Sequence, residues 1–215
     1  MTTVQSQRHF AGGKALFPKG KHLVYTCIGG NPSYLNVFAY LIHSLLLHPY
    51  SSQNRFDFLV ISDKNLYSYV QHYISKLSKP SSLSIYVHLA NTNHHVYEEN
   101  NMTPSYIKLH LFDWPLVFDY SSALFIDADI IIPPHFDFCH FVENQACCLE
   151  KLEDGCLYAM SEFQDKNMHR IHYFDLHDYT DDEIDAFERD GVYAFNAGLF
   201  SFKINDKSMQ MLNDI

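Results

Sequence analysis

Long apolar runs are missing from this chain. No stretch approaches the roughly 18 residues of a membrane-spanning helix. Met1 to Phe10 is polar and has no signal-peptide core. The sequence therefore reads as a cytoplasmic protein. Charge is scarce too: charged residues make up 19%, and 15 basic against 25 acidic side chains leave a net charge of -10. A nucleic-acid backbone demands a net basic face, so general nucleic-acid binding is excluded as a partner class. Anionic membrane surfaces are disfavoured for the same reason. Cysteines are few and odd in number: Cys27, Cys139, Cys147, Cys148 and Cys156. Their spacing matches no common zinc pattern, so reduced thiols are expected, with Cys147-Cys148 as a vicinal redox pair the minor alternative. There is no internal repeat, no low-complexity tract and no linker that would mark a second domain.

What is there is apolar and aromatic. Hydrophobic residues are 47% of 215, with 17 Phe and 15 Tyr. A chain of this size and composition folds around a sizeable core. The first residues, 1–21, carry Gly12, Gly13, Pro18 and Gly20 and read as an irregular arm. His22 to Cys27 is the first strand, ending in the turn Gly29-Gly30-Asn31-Pro32. A helix is expected from about Pro32 to Leu47, with Tyr34, Val37, Phe38, Leu41 and Leu45 at helical spacing. Phe56 to Ile61 is the second strand, and Leu66 to Leu77 the second helix, with Tyr69, Val70, Tyr73, Ile74 and Leu77 on one face. Leu83 to Leu89 is the third strand. This alternation predicts a parallel sheet with right-handed crossovers.

Asn91 to Met102 is polar and reads as a loop. Thr103 and Pro104 suit the cap and first position of a helix ending by Pro115. Ser122 to Ile132 is a strong apolar element stopped by Pro133-Pro134. Cys156 to Met160 predicts a strand, Thr180 to Arg189 a short helix, and Val192 to Phe202 two short strands broken at Asn196-Ala197-Gly198. Lys207 to Leu212 predicts a last helix.

Asp127-Ala128-Asp129 is the chemical focus, because it interrupts Leu-Phe-Ile and Ile-Ile-Ile. A strand would project both carboxylates from one face. Unpaired charges are costly in apolar surroundings, so the strand must end or bend here and a cation neutralise the pair. Two carboxylates at a strand's carboxyl end suit Mg2+ or Mn2+ that also holds substrate phosphates. In an open α/β sheet, ligands bind at that end. The plain alternative is two solvated Asp residues in a turn. Gly29-Gly30-Asn31 lacks the Lys and Ser/Thr of a Walker A loop and the third Gly of a dinucleotide fingerprint. Among the fourteen His, the group His169, His172 and His177 has no matching Glu or Cys set and reads as loop His.

The segment Phe125-Ile-Asp-Ala-Asp129 resembles the Asp-x-Asp segment of nucleotide-sugar glycosyltransferases with the GT-A fold. The chain is most similar to glycosyltransferase family 8, the glycogenin and galactosyltransferase group. Two further segments in register carry the resemblance. Tyr106-Ile-Lys-Leu-His110 is similar to the family's Thr-Lys-Leu helix, and Phe195-Asn-Ala-Gly-Leu199 to its Phe-Asn-Ser/Ala-Gly-Val. The resemblance spans roughly residues 22 to 212. It implies an α/β fold: a Rossmann-like, mostly parallel mixed sheet flanked by helices, in one GT-A domain over 22–215 after the arm over 1–21. It also implies metal-dependent transfer of a sugar, with retention, from a nucleotide-sugar donor, a UDP-sugar, to a hydroxyl of a glycan or glycoprotein acceptor. Asp127 and Asp129 would hold Mn2+ (or Mg2+). Tyr25, Thr26 and Cys27 would contact the base through backbone groups, and Tyr34 would pack on it. Ala128 lies between the two acids. Lys108 would reach the donor sugar or phosphate, and Asn196, Ala197 and Gly198 would line the sugar pocket. Lys108, Asn196 and Gly198 are thus the candidate catalytic positions.

The family's later segments, an Asp-Gln pair and a His-x-x-Gly-x-x-Lys-Pro-Trp stretch, would lie beyond Ile215. The expectation is a domain that can belong to a longer polypeptide. Two rival readings stay open. A sugar nucleotidyltransferase shares the fold, but its basic Gly-rich loop is not matched by Gly29-Gly30-Asn31-Pro32. A non-catalytic carbohydrate-binding or scaffold domain leaves Asp127 and Asp129 without a purpose.

Overall fold

The structure, a computed structural model, describes residues 20–50, 55–90, 104–161 and 195–213. Residues 1–19 of the expected arm, the loop from Asn91, the helix from Thr180 and the His169, His172 and His177 group lie outside them. Six strands form one sheet: β1 (His22–Ile28), β2 (Phe56–Ser62), β3 (Ile85–Leu89), β4 (Ser122–Ile126), β5 (Leu157–Ser161) and β6 (Phe195–Lys203). The helices are α1 (Tyr34–Leu46), α2 (Tyr67–Lys76), α3 (Phe138–Glu150) and α4 (Asp206–Asn213), and a 3₁₀ segment runs over Pro104–Asp113. The spatial strand order is β3-β2-β1-β4-β6-β5. β1 pairs in parallel with β2 and β4, and β2 with β3. β6 pairs antiparallel with β4 and with β5. The α/β class and the mixed, mostly parallel sheet are therefore as the alternation predicts.

The central strands read as unbroken apolar runs because both of their faces are covered. On one face, Phe38, Leu41 and Leu45 of α1, Val70 of α2 and Val142 of α3 pack against Val24, Phe58, Val60 and Leu124. On the other, Ile107, Leu111 and Trp114 pack with Leu212 of α4 against Tyr25, Leu59, Ile61, Phe125 and Phe202. Few charges enter this interior. Asp57, buried at the amino end of β2, accepts hydrogen bonds from the Tyr120 hydroxyl at 2.6 Å and from the Lys21 ammonium at 2.6 Å. Such pairing is what lets a carboxylate stay inside.

Three local expectations are corrected. The segment after Pro104 is a 3₁₀ helix rather than an α-helix. At its exit the Leu111 carbonyl takes the Trp114 N–H at 3.1 Å, ahead of Pro115, which has no N–H to offer. The strand from Ser122 ends at Ile126, just ahead of the acid pair as the cost of unpaired charge requires, and a turn follows with the Ile130 N–H on the Asp127 carbonyl at 3.1 Å. The two short strands around Asn196 are one continuous strand, β6. Tyr69 is 61% exposed, off the apolar face that Val70 and Ile74 form. One element was not anticipated. α3 is capped by Asp137, whose carboxylate accepts the His140 N–H at 3.0 Å, and buries Phe138, Val142 and Leu149. Both signals are present in the sequence.

Leu124 sits in β4 at 3% exposure, in the middle of the first core face. Leu124→Ala is expected to cost about 3 kcal/mol. Urea unfolding followed by the fluorescence of Trp114, the single tryptophan and 6% exposed, should show a lower midpoint with an unchanged slope.

Candidate functional site

The chain leaves β1 towards β2 and β3 on one side, then returns to β4 on the other. Between β1 and β4 the connections depart in opposite directions, which opens a crevice at the strands' carboxyl ends. Most of the residues singled out by sequence converge there.

Asp127 follows β4 directly. Its N–H donates to the Gly198 carbonyl at 2.8 Å, continuing the β4–β6 ladder past Ile126 paired with Leu199. This bond explains why β6 is unbroken at Gly198, and it brings Gly198 beside the acidic turn. The turn is held from below: the Ser44 hydroxyl of α1 accepts the Ile132 N–H at 3.0 Å and donates to the Leu41 carbonyl at 2.8 Å. Asp127 and Ala128 are half-buried, while Asp129 is exposed. The two acids thus meet through a turn, not through strand alternation.

Burial pushes the Asp127 carboxyl above its ordinary range; the Lys108 ammonium opposes this and the Asp129 carboxylate adds to it. Lys108 stands on the 3₁₀ segment with its ammonium 5.3 Å from the Phe125 ring centroid and 5.9 Å from that of Phe200. Two ring faces under a cation hold it by attraction to their π electrons. Cys27, at the end of β1, completes this group. Burial drives its thiol well up, with Lys108 lowering and Asp127 raising it. Tyr25 packs its ring on Phe125 at 5.1 Å, and its hydroxyl points to the Lys108 carbonyl at 3.5 Å.

Tyr25 and Thr26 are fully buried, so their side chains face the core, not a ligand. The Thr26 hydroxyl is buried without a hydrogen-bond partner. Tyr34, placed on the apolar helix face by its spacing, is 52% exposed at the start of α1, as an aromatic open to a ligand must be. Asn196 and Ala197 lie on β6, but their side chains are outside the described set.

Sequence reasoning passed over Asp63. It follows β2 and is 8% exposed; its two carboxylate oxygens accept the Gly30 N–H at 2.7 Å and the Leu66 N–H at 2.9 Å. Gly29 lies against it so closely that a Cβ there would come 3.0 Å from Asp63 Oδ2 and 2.5 Å from Ile107 Cδ1. The signal was an Asp just ahead of a helical run, a side chain able to accept the N–H three residues on.

For a divalent ion the donors are hard carboxylate oxygens, one half-buried and disfavoured as a bare anion, one exposed. That set fits Mg2+ or Mn2+ completed by substrate oxygens. Among the described residues no group of three or more His, Cys, Asp or Glu could enclose a metal by itself. The same residues contain no helix long and apolar enough to cross a membrane.

No protein-family model matches the chain, and no curated protein does. Two solved structures share its fold. The WbbM bifunctional glycosyltransferase aligns over 93% of this chain and 33% of its own, at 16% identity and TM-score 0.55. Mouse xyloside xylosyltransferase 1 aligns over 90% and 68%, at 11% identity and TM-score 0.51. S. aureus TarS 1-349 covers 59% and 33%, at 18% identity and TM-score 0.36. The chain thus spans about a third of the length of WbbM and of TarS. Its fold is the GT-A arrangement of such glycosyltransferases.

Asp127→Asn is expected to stabilise the metal-free protein. A raised carboxyl pKa favours the fold while the group is protonated, and this advantage is lost as the pH climbs through the raised value above 3.8. At neutral pH the variant should melt higher, by about 2 °C. The difference should vanish in melts at acidic pH, where native Asp127 is neutral.

Proposed function

We propose that this domain transfers a sugar from a nucleotide-sugar, a UDP-sugar, to a hydroxyl of a glycan or glycoprotein. The observation that carries the reading is the acidic turn Asp127–Asp129 at the crevice between β1 and β4, with Lys108 beside it. The fold shared with WbbM and the mouse xylosyltransferase supports it. The three segments similar to glycosyltransferase family 8 favour that family and, with it, retention of configuration.

On this reading the base lies over the ends of β1 and α1, near Cys27 and Tyr34. The diphosphate lies towards Asp127 and Asp129, and the sugar towards Gly198, with Asn196 and Ala197 on the same strand. Asp127 and Asp129 hold Mn2+ or Mg2+, which when bound supplies Lewis acidity to the leaving diphosphate. Lys108 adds a fixed positive charge where negative charge grows on the leaving group. Its aromatic seat keeps the ammonium oriented before reaction, so little reorganisation is needed. Gly198 has no side chain, so a hexose can approach the backbone closely.

Titration calorimetry with UDP, with and without Mn2+, tests the reading. Native protein should bind UDP only with the ion, and Asp129→Ala should weaken that binding by at least tenfold. Metal-independent binding, or none, would overturn it.

A further inference from the structure

Asp63 belongs to none of the three segments that suggest the donor site, yet it controls the turn on which the base would rest. We infer that Asp63 is a positioning residue: it locks the β1–α1 turn through Gly30 and thereby sets the base subsite and Tyr34. This deepens the nucleotide-sugar reading and rests on it.

The turn has little to hold it otherwise. Asn31, Pro32 and Ser33 are exposed. Their bonds are local: the Ser33 N–H on Asn31 Oδ1 at 2.9 Å, and the Tyr34 N–H on the Asn31 carbonyl at 3.0 Å. Gly30 has φ +77°, a left-handed backbone that relaxes readily in the absence of an anchor. Asp63 supplies that anchor from the neighbouring strand. One oxygen takes the Gly30 N–H, the other takes the Leu66 N–H ahead of α2, and its own N–H reaches the Ile28 carbonyl at 3.2 Å. The carboxylate therefore ties the end of β1 to the start of α2. Gly29 is pinned between it and Ile107, the residue next to Lys108. A carboxylate is the side chain for this place, because two backbone N–H groups face it and both need an acceptor. An Asn of equal size offers one acceptor and sets its NH2 against the other donor.

Asp63→Asn separates this role from general stability. Calorimetry compares UDP with Mn2+ against pyrophosphate with Mn2+, and hydrogen exchange reads residues 28–35. The expected result is UDP affinity reduced about tenfold, the loss typical of one charge-assisted hydrogen bond, with pyrophosphate affinity unchanged. Exchange should quicken in residues 28–35 and stay native in β4. Equal losses for both ligands, or native exchange in the turn, would overturn the inference. Native protein that binds pyrophosphate but not UDP would instead bring down the nucleotide reading, while exchange would still decide whether Asp63 holds the turn.

Discussion

β1 lies between β2 and β4, and its pairing with β4 runs only from His22 with Ser122 to Tyr25 with Phe125. Beyond Tyr25 the two strands part. Cys27 and Ile28 go on beside β2, while Asp127 turns away with its N–H on Gly198. The crevice exists because neighbouring parallel strands send their connections to opposite sides. The acidic turn, the Gly29-Gly30 turn, Lys108 and Gly198 all meet at its rim. The β1–β4 pairing brings the end of β1 beside the acidic turn, and the β4–β6 pairing brings Gly198 to it.

The electrostatics of the rim follow from its floor. Phe125 and Phe200 offer π faces to Lys108 but no counter-charge to Asp127. Asp127 is therefore held in surroundings that disfavour its anion, moderated by one ammonium. Asp129 is exposed. By contrast, Asp57 at the opposite end of β2 has both a hydroxyl and an ammonium within 2.6 Å. It is a satisfied structural carboxylate. The two acids differ in their partners, not in their residue type.

Much of the architecture was legible in the residues because it is set locally. Apolar runs of strand length, helical spacing and the charge pair after Ile126 place β1 to β4, α1 and α2 to within a few residues. What was misread depends on distant partners. The continuity of β6 needed the N–H of Asp127, remote in the chain. Tyr69 and Tyr34 have helical spacing but no wall to pack on. α3 was legible, in the cap Asp137 and the spacing of Phe138, Val142 and Leu149, and passed unread beside the stronger strand before it.

The sequence by itself determined that Asp127 and Asp129 must either end the apolar strand or find partners, because an unpaired buried charge is costly. It likewise determined the alternation that builds a parallel sheet, since periodicity is a local property of the chain. Only the tertiary structure decided which residues share the crevice. Lys108 reaches Phe125 and Phe200, and Asp63 reaches Gly30, through strand order and register. These contacts join residues far apart in sequence, and no local pattern of side chains encodes their meeting.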